Sequence, residues 1–280
     1  MRCLNCILLF VVTIAVTGCS NVPSSATRIK HITSTATQQG WKSHIIEGEQ
    51  LDLLAFLPPQ APPKGLLTIY IEGDGYAWKS RFEVSDNPTP VKAIALELAL
   101  QHPGAVYLSR PCQSITGPIC TPTLWTKARF SETVINASNK AIDKLKARYQ
   151  AKNIQLIGYS GGGAVAALIA ARRKDVKRLV TVAGNLDHSR WTRLHGVSPL
   201  SDSLNPADFR QSLETISQYH FVGQKDRIVP AQLAQEFVAE FSLTADITLH
   251  IVADFDHHCC WQTQWQSLMT ELDSTRPTLQ

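Results

Sequence analysis

The chain has 280 residues, 44% of them hydrophobic, and a formal net charge of +4. That length and apolar content suit one globular domain with a sizeable core. So mild a charge, with no cluster of Lys and Arg interleaved with aromatics, argues against nucleic acid as a partner.

The first residues read as a targeting segment. Arg2 supplies a positive start, and residues 7–16 form an apolar run that ends in Val16-Thr17-Gly18-Cys19. The run is too short to span a bilayer and suits a signal peptide over 1–18. Its end resembles the bacterial lipobox, which implies that Cys19 is the lipidated first residue of the mature chain. The rival reading is an ordinary secretory signal in which Cys19 is incidental. Ser20 stands where lipoproteins kept at the inner membrane commonly carry aspartate. The resemblance therefore implies an outer-membrane anchor facing the periplasm. Residues 19–40, polar and rich in Ser and Thr, are expected to be a tether.

From residue 41 to 280 the punctuation is that of one α/β domain. Residues 41–57 alternate loosely around Gly48-Glu49 and read as a hairpin. Residues 58–63, with four prolines, make a stiff connector. Residues 66–71 form a continuous apolar run suited to a strand buried on both faces, and it ends in Glu72-Gly73-Asp74-Gly75. Thr89-Pro90 is expected to cap a helix running to about Gln101. Residues 105–108 make a short strand. Ile135, Ile142, Leu145 and Tyr149 then mark one face of a helix whose solvated positions include Lys140, Lys144 and Lys146.

Residues 153–157 read as a strand, Gly158-Tyr159-Ser160-Gly161-Gly162 as a sharp turn, and residues 164–171 as a helix of small side chains. Residues 178–183 make another strand. Residues 219–223 make the next, followed by a loop carrying Asp226 and by a helix with Leu233, Phe237 and Phe241 on one face. The last strand, residues 247–252, leads into Ala253-Asp254-Phe255-Asp256-His257-His258. Strands alternating with helices predict a mostly parallel central sheet with helices on both faces.

Three strand ends carry the chemistry. A serine between small residues at a strand-to-helix turn exposes its hydroxyl beside a helix N-terminus, where developing negative charge is favoured. A serine hydroxyl needs a base, and the base needs an acid to orient it. Asp226 and then a histidine follow Ser160 in the order serine, acid, histidine. Asp187, after the preceding strand, is the competing acid. Consecutive side chains point in different directions, so only one of His257 and His258 can face Ser160.

At this point the chain resembles the α/β-hydrolase fold family over nearly everything after its first forty residues. It also resembles a bacterial subset carrying residues 70–78, Asp86-Asn87-Pro88-Thr89-Pro90, Arg110-Pro111-Cys112-Gln113 and residues 125–131. The resemblance implies an acyl-transfer reaction. It places the oxyanion-hole amides at Asp74 and Gly161, with Gly75 an alternative to Asp74, and puts Glu72 where the fold usually has histidine. The Asp-His-x-Cys-Cys-Trp pattern selects His257 as base and His258 as its variable neighbour. Residues 185–208, long for a loop, are then expected to be a lid or pocket wall, or a plain surface loop.

Removing Cys3, Cys6 and Cys19 from the seven cysteines leaves Cys112, Cys120, Cys259 and Cys260. In an oxidising compartment these can form two bridges in three connectivities. Cys112 and Cys120 would close a short loop, a vicinal bridge at Cys259-Cys260 would be unusual, and cross-pairing is open. Zinc is the rival use of Cys259 and Cys260 beside two histidines, but adjacent ligands fit a tetrahedral site poorly. Gly161-Gly162-Gly163-Ala164-Val165-Ala166 fits a dinucleotide fingerprint formally but lies mid-chain, with no acid at the required spacing. The reading is a lipid-anchored serine hydrolase of small-molecule or lipid esters, using Ser160, Asp226 and His257, without cofactor or metal. The alternative is an envelope lipoprotein that keeps the fold as a non-catalytic binding module.

Overall fold

In the computed structural model, which describes residues 22–275, an eight-stranded sheet runs through the molecule. The strands are β1 (Lys42–Ile46), β2 (Leu53–Leu57), β3 (Leu66–Ile71), β4 (Val106–Leu108), β5 (Asn153–Tyr159), β6 (Val176–Val182), β7 (Ser217–Gly223) and β8 (Ile247–Val252). Their spatial order is β1-β2-β4-β3-β5-β6-β7-β8. The first two pairings, β1 with β2 and β2 with β4, are antiparallel, and every other pairing is parallel. The sheet of an α/β-hydrolase fold results.

Successive strand side chains alternate between two cores. Leu67, Ile69, Ile71, Ile154, Leu156 and Leu179 face one layer, built on helices α3 (Glu132–Arg148) and α4 (Gly161–Ala170). Tyr70, Ile157, Tyr159, Val180 and Val182 face the other. That second layer is built on α1 (Ser25–Thr37), α2 (Ile94–Ala99) and α8 (Trp261–Thr275). Trp261 and Trp265 are its largest fully buried side chains, and Trp265 Nε1 donates to the Tyr70 hydroxyl at 2.8 Å. The remaining helices, α5 (His188–His195), α6 (Arg210–Leu213) and α7 (Ala231–Val238), occupy connections near and beyond the site.

Two expectations are corrected. The stretch read as a tether is helical from Ser25 to Thr37, with the Ser24 hydroxyl accepting from Thr27 N. Ile32 and Ala36, four residues apart and so on one helix face, are buried in the core. Arg28 is buried too, its Nε donating to the Thr89 carbonyl at 2.9 Å and its Nη2 to the Asn87 carbonyl at 3.0 Å. The helix expected from Thr89 is confined to Ile94–Ala99. Thr89 cannot cap it, because its hydroxyl accepts from Ser114 N at 2.8 Å and its carbonyl is held by Arg28. Cys19 lies outside the described residues. Cys112 is bonded to Cys120, with Cα atoms 5.6 Å apart, and Cys259 to Cys260.

Candidate active site

β5 delivers Ser160 into the turn with φ 51° and ψ −120°, a left-handed conformation that costs a non-glycine residue on the order of 1–3 kcal/mol. The surroundings hold it there. Ser160 N donates to the Val182 carbonyl at 2.9 Å, and its own carbonyl accepts from Gly163 N at 2.9 Å and Asn185 N at 3.1 Å. The turn also demands a bare backbone two residues on. A Cβ on Gly162 would sit 2.3 Å from the Ile71 carbonyl oxygen. The helix that follows, α4, starts at Gly161 and aims its N-terminus at the serine.

Asp226 leaves the end of β7. Its Oδ1 accepts from Ile228 N and Val229 N, both at 2.8 Å, which fixes the carboxylate plane. The other oxygen, Oδ2, lies 2.7 Å from His257 Nδ1. A carboxylate only accepts, so Nδ1 carries the proton, and Nε2 is left to accept from Ser160 Oγ at 3.0 Å. The His257 loop is pinned from both sides. The Tyr159 hydroxyl donates to the His257 carbonyl at 2.9 Å, and Trp261 Nε1 reaches the same oxygen at 3.2 Å. His258 turns away from Ser160, placing Nδ1 3.0 Å from the Tyr159 hydroxyl, and Asp256 Oδ1 accepts from its amide at 2.8 Å. The competing acid is elsewhere. Asp187 caps α5 through Ser189 N and Arg190 N and pairs with Arg190 at 3.2 Å.

Above Ser160 lies the loop after β3. Neither the Asp74 nor the Gly161 amide has a hydrogen-bond partner among the described residues, so both are free to donate to a bound group. The Asp74 side chain packs directly on the elbow, and a Cβ on Gly161 would fall 2.1 Å from Asp74 Oδ1. Two buried arginines hold that carboxylate, Arg129 Nη1 at 2.7 Å and Arg110 Nη1 at 3.2 Å. Burial alone would push its pKa up, but the two guanidiniums bring it below the ordinary carboxylate value. Gln113 Nε2 donates to the Gly73 carbonyl at 2.9 Å and completes the clamp. The triplet of Ser160, His257 and Asp226 opens on a cleft of about 510 Å³ bordered by Glu72, Asp74, Tyr76, Trp78, Trp191 and His258.

Residues 118–263 match the sequence model of the dienelactone hydrolase family. The chain belongs to the dienelactone hydrolase family. The solved structures similar in fold include the Pyrococcus furiosus esterase Pf2001, with 17% identity over 85% of this chain and 94% of that one and a TM-score of 0.60. An α/β serine hydrolase homologue from Coxiella burnetii matches with 15% identity over 84% and 97% of the two chains and a TM-score of 0.58. Est1E from Butyrivibrio proteoclasticus matches with 15% identity over 83% and 98% and a TM-score of 0.57. No curated protein sequence matches. The protein is a hydrolase.

In this dienelactone hydrolase family member, sequence reasoning missed the arginine clamp. Arg110 and Arg129 stood in the segments 110–113 and 125–131, and nothing in their spacing tied them to Asp74. The role of Arg28 was hidden for the same reason. Its guanidinium lies 5.0 Å from the centroid of the Tyr76 ring and ties α1 to the loop that carries Asp74. The insertion at 185–208 is partly wall, since Trp191 of α5 borders the cleft.

Glu72 brings a testable pH dependence. It is buried, and Oε1 accepts from Gly73 N at 2.9 Å and Ala95 N at 3.4 Å. Burial raises its pKa from the ordinary 4.5 to about 7. The native state therefore binds the Glu72 proton more tightly than the unfolded chain does. Stability is lost as pH rises from about 4.5 to 7, by an amount on the order of 3 kcal/mol. Glu72→Gln keeps the accepting oxygen and removes the ionisation. Urea unfolding at a series of pH values should show the variant gaining on the wild type across that window, and parallel curves would refute the assignment.

Proposed function

We propose that this hydrolase cleaves carboxylic esters through an acyl-enzyme on Ser160, with His257 as base, Asp226 as orienting acid and the Asp74 and Gly161 amides as oxyanion donors. The observation that carries this reading is the unbroken line Asp226 Oδ2, His257 Nδ1, His257 Nε2, Ser160 Oγ, with steps of 2.7 and 3.0 Å, ending in an open cleft.

The steps follow from that geometry. As Ser160 Oγ attacks the acyl carbon, Nε2 of His257 takes its proton, and Asp226 stabilises the imidazolium without itself taking the proton. Charge develops on the carbonyl oxygen, where two backbone amides and the N-terminus of α4 oppose it; losing one such donor costs on the order of 10²–10³ in rate. The imidazolium then gives its proton to the leaving alcohol. Water, activated by the same nitrogen, releases the acid and restores the serine. A fluorophosphonate probe tests the reading: it should label wild-type protein and fail on Ser160→Ala. Equal labelling of both would remove Ser160 from the mechanism.

The site of action is part of the same proposal. The 1–18 segment is removed as a signal peptide, and Cys19 carries lipid at the outer membrane, facing the periplasm. The domain then starts with α1, only a few residues from the anchor. Cys19→Ser should give protein that takes up no clickable palmitate in cells and is poorly processed. Normal labelling and membrane fractionation of that variant would overturn the assignment of Cys19 as the lipid anchor.

A further inference from the structure

The cleft at Ser160 does not end at its own walls. Four of its lining residues, Trp78, Arg129, Trp191 and Ile228, also border a second cavity of about 960 Å³. The two spaces are thus neighbours that share a boundary of two tryptophans, Arg129 and Ile228. Beyond it Phe82, Val197, Pro199 and Leu200 make the apolar part of the wall, Arg81, Lys127 and Thr126 add polar groups, and no carboxylate lines the cavity among the described residues. Its size is that of a site for a drug-sized or lipid-like group, far more than a short ester requires.

The walls are anchored. Trp191 Nε1 donates to the Ile228 carbonyl at 2.6 Å, and His195 Nε2 lies 2.9 Å from the same oxygen. This fastens α5 to the loop that leaves Asp226. On the other side the Ser203 hydroxyl donates to the Lys127 carbonyl at 2.8 Å and accepts from Phe130 N at 3.1 Å. The insertion between β6 and β7 is thereby held against the segment that supplies Arg129. Phe82, 89% exposed, stands at the open side with its ring unsatisfied by any core.

We propose that this second cavity is a chain-binding subsite, which takes the long apolar group of an ester whose carbonyl is held at Ser160. The inference rests on the ester-hydrolase reading and adds the substrate class to it. A chain passing between Trp78 and Trp191 removes its methylenes from water against the apolar part of the wall, Phe82, Val197, Pro199 and Leu200. Each methylene so buried is worth up to about fourfold in kcat/KM.

Two series of esters test it, p-nitrophenyl esters of acids from acetate to dodecanoate, and acetate esters of alcohols of the same lengths. One series should gain at least tenfold in kcat/KM with length, and which one does tells whether the acid or the alcohol enters the cavity. Val197→Trp, or Ser198→Trp as a second variant on the same exposed loop, should obstruct the space. Either should erase that gain while leaving acetate hydrolysis within twofold, which also reports that the variant is folded. Binding is read separately on Ser160→Ala, by energy transfer from tryptophan to cis-parinaric acid. The affinity for parinarate, read from the concentration dependence of the transfer, should fall at least tenfold with Val197→Trp or Ser198→Trp added. Flat length profiles in both series, or gains and parinarate binding untouched by both tryptophan variants, would overturn the subsite. Failure of hydrolysis at every length with parinarate binding intact would instead overturn the ester-hydrolase reading and leave the subsite standing.

Discussion

Replacing Ser160 with alanine should lower ester turnover by on the order of 10⁶ while leaving the protein folded. In the proposed mechanism the hydroxyl is the group that attacks, and its one hydrogen bond among the described residues is to His257 Nε2. Alanine keeps the Cβ, so the left-handed turn at φ 51° is neither relieved nor worsened. The backbone bonds from Val182, Gly163 and Asn185 are unaffected by the side chain. The melting temperature should therefore stay within a few degrees of the wild type. Steady-state hydrolysis of an activated ester by rigorously purified protein measures the loss, and more than a few per cent of wild-type activity would exclude Ser160 as nucleophile.

Asp226→Asn should cost on the order of 10⁴ in kcat, the size seen when the acid of such a triad is made neutral. The structure supplies the physical reason. Oδ1 accepts from two backbone amides, Ile228 N and Val229 N. An asparagine must turn its oxygen toward those donors, which leaves its NH₂ facing His257 Nδ1. Nδ1 then has to accept, the imidazole proton moves to Nε2, and the base no longer has a lone pair for the Ser160 proton. Asp187→Asn makes the comparison. Its carboxylate caps α5 and contacts Arg190, so that change should cost less than about tenfold in kcat. A larger loss from Asp187→Asn than from Asp226→Asn would overturn the assignment of the acid.

Much of the site was legible along the chain because this chemistry sits at strand ends. The strands β5, β7 and β8 each declare themselves by a run of apolar or β-branched residues. Ser160, Asp226 and His257 follow those runs at once, and the parallel pairing of β5 with β6, β6 with β7 and β7 with β8 brings their ends to one edge. The choice between His257 and His258 is also a local matter. One side chain points to Ser160 and the next to the Tyr159 hydroxyl. Composition misled where a polar segment was docked by few contacts. In α1 the Ser and Thr residues are exposed or half-buried, and the helix is held by Ile32, Ala36 and Arg28.

By itself the sequence determined the alternation of strands and helices, the tight turn at Ser160 and the order of Ser160, Asp226 and His257 along the chain. Each of these is written in residues that are neighbours along the chain. Tertiary structure alone decided what surrounds them. The clamp on Asp74 joins residues 36 and 55 positions apart, and the tie from Arg28 to Thr89 spans 61. The boundary shared by the two cavities brings Trp78 together with Trp191 and Ile228, three segments with no shared periodicity. Such contacts leave no local pattern, because any arginine or tryptophan along the chain could have made them. Only the packing of the layers selects the ones that do.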